Sequence, residues 1–146
     1  MFKQIFFLSL LFILTACGSD FHFDKTEVNV AGNIFEAQVA DTAKLQTRGL
    51  SGSEPLAVDE AMLFVYPDKQ LREFWMKDML FSIDLLWIED NTIVAWQENM
   101  TMPSPEATVF DLTTYISPQP VNSVLELPAG TVKRLSLNIG DQVTWE

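Results

Sequence analysis

The stretch FWMKDMLFSIDLLWI, Phe74–Ile88, constrains the fold of this 146-residue chain more than any other segment. It is almost wholly apolar, yet it carries Lys77, Asp78 and Asp84. A bilayer helix needs about 20 consecutive apolar residues, which these charges deny. The stretch reads instead as two β-strands, Phe74–Lys77 and Phe81–Glu89, in which alternate residues share a face. In the first, Trp75 and Lys77 point one way, and Phe74, Met76 and Asp78 the other, so Asp78 is expected to face away from Lys77. In the second, Phe81, Ile83, Leu85 and Trp87 form one face, and Asp84, Leu86 and Ile88 the opposite one. Both faces are apolar, so Asp84 is expected inside the protein. A carboxylate there needs a cation or several backbone N–H donors. Glu126, set between leucines in Val-Leu-Glu-Leu-Pro, poses the same requirement.

The rest of the chain is punctuated like a β protein. Thr26–Val30 and Ile34–Ala40 flank a turn at Ala31-Gly32-Asn33 and are expected to pair as a hairpin. Asp41 is placed to cap a short helix, Thr42–Arg48, with Gly49 at its C-terminal end. Ala61–Tyr66 precedes Pro67-Asp68, and Thr92–Glu98 follows a turn at Asp90-Asn91. Residues 99–120 hold four of the seven prolines, so they read as a surface loop with at most a short strand at Val109–Asp111. Val124–Leu127 is a further strand, a turn or short helix runs from Ala129-Gly130 to Leu137, and Gly140-Asp141 turns into a last strand, Gln142–Trp145. Many short strands with one or two short helices predict a mainly β fold: a small compact β-barrel or sandwich, in a single domain over 25–146.

At the N-terminus, Lys3 precedes the apolar run Ile5–Ala16, which is too short to span a bilayer and fits a secretory signal over 1–16. The run ends in Leu14-Thr15-Ala16-Cys17. This resembles the bacterial lipobox, where the chain is cut before a cysteine that is then lipidated. Residues 17–24 would then be the lipidated cysteine and a tether, and the membrane a partner through Cys17. An exported, lipid-anchored protein on the periplasmic face is expected. Gly18, rather than aspartate, after the cysteine favours the outer membrane in a Gram-negative cell.

Cys17 is the single cysteine and His22, in the tether, the single histidine. An intrachain disulfide, a site of several thiolates or several histidines, and a Ser-His-Asp centre within the domain are therefore excluded. No metal site and no cofactor is expected. The formal net charge of −11 disfavours nucleic acid as a partner.

Four blocks, Thr47–Leu56, Ala61–Asp68, Phe74–Ile88 and Val124–Gly130, followed by Gly140-Asp141-Gln142-Val143, together resemble the bacterial and archaeal family known as domain of unknown function 192. The resemblance covers nearly the whole mature domain. It implies a small β-rich barrel, often exported or tethered, with no established biochemical role. The chain departs from the family pattern at Ser51, usually methionine, at Ala61, usually glycine, at Asp78, usually asparagine, and at Ser82, usually proline. The change at Asp78 adds a negative charge beside Lys77.

The candidate polar cluster is Arg48, Trp75, Lys77, Asp84 and Glu126, with Arg48 and Lys77 as cations available to the two acids. It has two readings. It is a buried ion-pair network that fixes the β register, or it is a small pocket floored by Trp75 and Trp87, in which a desolvated Lys77 is a base or an anion anchor. No catalytic residue is assigned. The expected role is a lipid-anchored module that binds a small ligand, a cell-envelope glycan or a protein partner. The alternatives are a hydrolase-type enzyme using Lys77, Asp84 and Glu126, with or without a divalent metal, and a structural envelope lipoprotein.

Overall fold

A computed structural model describes residues 21–146. The signal peptide expected at 1–16, Cys17 and Gly18 lie outside the described residues. The hairpin forms as its turn requires: β1 (Asp24–Val30) pairs antiparallel with β2 (Asn33–Ala40). Ala31 and Gly32 both adopt positive φ, 49° and 87°, the twist that suits a two-residue hairpin loop. The chain crosses through α1 (Ala43–Arg48) to β3 (Glu60–Gln70), which lies parallel to β2. β4 (Glu73–Trp75), β5 (Ile83–Glu89) and β6 (Thr92–Met100) follow, then β7 (Thr114–Ile116), β8 (Val121–Pro128), α2 (Thr131–Leu135) and β9 (Val143–Trp145).

Seven strands form one sheet in the order β6-β5-β8-β3-β2-β1-β9, while β4 and β7 make a separate pair. The large sheet curls into a half-barrel. Its two edges meet, with a bridge between Thr92 and Gln142 and a 2.8 Å hydrogen bond from Val143 N–H to the Asn91 carbonyl. These contacts satisfy a few of the backbone groups at the two edges.

Apolar residues cover both faces of the central strands, which is why β5 reads as a nearly unbroken hydrophobic run. One face gathers Val28, Phe35, Leu63, Leu86, Ile88 and Leu125, closed by Val132 of α2. The other gathers Met62, Phe64, Ile83, Leu85, Trp87 and Val124 and is covered by the segment around Leu50 and by Met76 and Met79. No helix among the described residues is long and apolar enough to cross a membrane.

Several boundaries differ from expectation for physical reasons. β3 continues through Pro67 to Gln70, with its register against β8 broken between Val65 and Gln70, the kind of irregular position where a strand tolerates proline. β7 forms within the proline-rich loop, and Val109–Asp111 is a 3-10 turn rather than a strand. A three-residue strand shows no periodicity in sequence; β7 exists because β4 supplies its hydrogen bonds. Thr42, not Asp41, caps α1, its hydroxyl oxygen accepting from Leu45 N–H at 3.3 Å. β1 begins at Asp24 and Phe23 packs against the second core, so residues expected in the tether take part in the fold.

Candidate functional site

The two buried acids part company. Register pairs Asp84 with Leu127 and Glu126 with both Met62 and Leu85, so the two carboxylates leave opposite faces of the sheet. No single ion-pair network or shared metal can join them.

Asp84 is fully buried. Neither Lys77 nor Arg48 reaches it. Its Oδ2 accepts from Val132 N–H at 2.8 Å and its Oδ1 from Asn99 N–H at 2.8 Å. Val132 is the second residue of α2, so Asp84 satisfies an orphan donor at that helix start and meets the positive end of its dipole. Asn99 has a positive φ of 48°, next to the end of β6. Asp84 therefore ties α2 and β6 to the sheet. It is a brace, held by backbone donors rather than by a cation.

Glu126 lies on the other face. It is 6 % exposed, and its Oε2 finds no hydrogen-bond donor among the described residues. Burial alone pushes its carboxyl up to about 8, so it is mostly protonated at neutral pH. It lines a cavity of about 50 Å³ together with Arg48, Gly49, Phe74 and Trp75. That space accepts a group of a few non-hydrogen atoms. Thr47, Arg48, Ser51 and Trp75 also line a wider, more open groove of about 440 Å³, completed by Phe21, Lys44, Lys77 and Asp78. This volume is in the range of small-molecule sites.

Three elements build the groove. α1 presents Lys44 and Arg48 one turn apart, each cation 5.0 Å from the centroid of the Phe21 ring. The turn after α1 latches onto the loop after β4: the Ser51 hydroxyl donates to the Lys77 carbonyl at 2.9 Å, and Gly52 N–H to the Asp78 carbonyl at 2.8 Å. β4 is held to the sheet by Phe74, packed edge-on against Phe64 at 4.9 Å and Trp87 at 5.6 Å, which leaves Trp75 on the outside, 54 % exposed.

Gly49 closes α1 with φ 48° and ψ −142°, a conformation essentially reserved to glycine. A Cβ there would also meet the Phe64 ring at 3.4 Å. Gly49→Ala is expected to cost about 1–3 kcal/mol in urea unfolding; a neutral result would show that the turn relaxes freely and does not frame the cavity.

Arg48, Trp75 and Lys77 thus come together around one groove, with Glu126 at the cavity beneath it, while Asp84 stands apart. Three expectations are corrected. Lys77 is half exposed rather than desolvated, and its Nζ lies 3.6 Å from Asp78 Oδ2 instead of facing away. β4 ends at Trp75 and Asp78 adopts a positive φ of 57°, which ends the strand alternation. Trp87 is buried in the core and does not floor the groove. Phe21 and Lys44 escaped sequence reasoning. The Lys44–Arg48 spacing on a helix was a usable signal; nothing local marks Phe21.

The family described as "Uncharacterized ACR", domain of unknown function 192, matches residues 26–145. Two solved structures are similar. A Sinorhizobium meliloti protein, provisionally described as a transcription regulator, shares 30% identity with a TM-score of 0.76, over 86% of this chain and 97% of that one. A Novosphingobium aromaticivorans protein of unknown function shares 25% identity with a TM-score of 0.70, over 84% and 85%. No curated protein matches the chain.

Proposed function

The chain belongs to the family of domain of unknown function 192, and we propose that it is a lipid-anchored module of the cell envelope that binds a small ligand at the Glu126 cavity and the groove above it. The observation that carries the reading is the buried Glu126 Oε2, which has no donor among the described residues and lines a cavity. A buried polar atom left without a partner costs on the order of 1–3 kcal/mol. A ligand group that hydrogen-bonds to it recovers that cost.

The surroundings narrow the chemistry. A protonated Glu126 both donates and accepts, so it suits a hydroxyl, amide or carbonyl group at the tip of the ligand. Trp75 offers a flat apolar wall, suited to a sugar or another ring face, and Lys44, Arg48 and Lys77 favour anionic substituents at the mouth. Binding is favoured over hydrolysis because the three groups that hydrolysis would recruit are separated. Asp84 and Glu126 occupy opposite faces, and Lys77 faces solvent.

The protein is exported and held by acyl chains on Cys17, with Gly18 favouring the outer membrane, on the strength of the Leu14–Cys17 sequence. Cys17→Ser is expected to abolish acylation and move the chain out of the membrane fraction; unchanged processing and attachment would remove the anchor from this proposal. For the binding role, the full-length wild-type protein is melted against a panel of envelope sugars and small carboxylates, beside Glu126→Leu, which removes the hydrogen-bonding carboxyl. A ligand at about 100 times its Kd stabilises the folded state by about 2.7 kcal/mol. The expected result is a rise in melting temperature in wild type that Glu126→Leu loses. A panel hit that Glu126→Leu retains in full would sink the assigned site.

A further inference from the structure

We infer that the face formed by Phe21, Lys44, Arg48, Trp75 and Lys77 docks onto the anionic phospholipid headgroups of the membrane that anchors the protein. The inference rests on the Cys17 anchor proposed above and adds the orientation of the domain on that anchor.

Distance is the first support. Phe21, which lines the groove, stands four positions after Cys17 in sequence. Four residues span at most about 14 Å. Whatever path the chain takes, acyl chains on Cys17 hold this face within a short distance of the bilayer surface.

Charge is the second. The chain carries −11 overall, so an anionic leaflet repels most of its surface. Three of its nine lysines and arginines nevertheless line this one groove. The acid among the groove residues, Asp78, sits 3.6 Å from Lys77 Nζ and is screened by it. The electrostatic preference for a negative surface is therefore local to the face that the tether already presents.

The third is the company the cations keep. Trp75 is largely exposed, and on the far side of the Lys77–Asp78 pair a second groove exposes Leu80, Met102 and Val109. A soluble anion needs only the charges. Exposed tryptophan and aliphatic side chains flanking them suit the headgroup layer, where indole rings settle and where an acyl anchor gains from a second, basic contact. The ligand cavity then opens towards the bilayer, so its ligand arrives along the membrane surface.

Full-length acylated protein, extracted from membranes, is reconstituted into vesicles of phosphatidylglycerol and phosphatidylcholine that contain headgroup-spin-labelled lipid. Trp75 is the most exposed of the four tryptophans, and Trp75→Phe identifies its share of the emission. The expected result is quenching of Trp75. Each cation near an anionic surface shifts the docked-to-free ratio about fivefold, so Lys44→Ala with Lys77→Ala should lower it roughly 25-fold. Salt at about 1 M, where the screening length is about 3 Å, should do the same without any substitution. Acylated protein whose Trp75 is not quenched, or is quenched equally on phosphatidylcholine alone, overturns the docking and leaves the anchor standing. Protein whose mass shows no acyl chains overturns both.

Discussion

Glu126→Gln is expected to abolish a loss of stability that the wild-type chain suffers as pH rises through the neutral range. The folded-state carboxyl is raised from 4.5 to about 8 by burial. In the unfolded chain it regains its ordinary value. Between these limits the folded state holds a proton that the unfolded state has released, so folding takes up a proton and stability falls with pH. The contribution is fully present below about 4.5, declines as pH rises through about 8, and is flat above. The slope is at most about 1.4 kcal/mol per pH unit. Urea unfolding of both proteins from about pH 5 to pH 8 provides the check. The stability difference should move steadily in favour of Glu126→Gln as pH rises. The comparison cancels the exposed acids, such as Asp68 and Asp111, that are held below their ordinary values by hydrogen bonds and slope the opposite way. Parallel curves would mean that Glu126 titrates like a solvated carboxyl, and the site built on it would fall. A bound ligand that donates a hydrogen bond to Glu126 should flatten the wild-type slope too, because it stabilises the charged form.

Asp84→Ala should be among the most damaging single substitutions in the domain. It strands two backbone N–H groups, Val132 and Asn99, each now bonded to the carboxylate at 2.8 Å. Hydrogen bonds to a charged group contribute about 1.5–3 kcal/mol each, so a loss on the order of 3–5 kcal/mol is expected. Asp84→Asn keeps one acceptor but aims an amide donor at another donor, and should fall between wild type and Asp84→Ala. The readouts are urea unfolding and amide exchange, with Val132 and Asn99 losing protection first. A loss under about 1 kcal/mol for Asp84→Ala would show that α2 and β6 do not depend on this brace. Asp84 and Glu126 then separate cleanly. Removing the first acid is expected to destabilise the fold by several kcal/mol, whereas replacing the second is expected to change how stability responds to pH.

The same two residues show how far local pattern reaches. Alternation along Phe81–Glu89 placed Asp84 on an apolar face, and it is fully buried there. What satisfies it was beyond reach, because its donors lie 15 and 48 positions away in sequence, on a strand end and a helix start that only the folded chain brings near. Lys77 was misread for a related reason. The strand ends at Trp75 and Lys77 lies in a turn with Asp78, whereas a pattern argument assumes that the strand continues. Aspartate is among the residues that tolerate left-handed backbone, so Asp78 can make this turn.

Sequence by itself determined the β class, the hairpin at Ala31-Gly32, and the burial of Asp84 and Glu126. Each follows from periodicities and turn residues that act over a few positions. Tertiary structure decided the rest. It curled the seven strands so that β6 meets β9, paired β4 with β7, and put Asp84 and Glu126 on opposite faces of one sheet. It also gathered Phe21, Lys44, Arg48, Trp75 and Lys77 around one groove. Strand order and register are set by which distant segments bury each other's apolar faces. That is a property of the whole chain, and no short stretch of it, not even Phe74–Ile88, contains the answer.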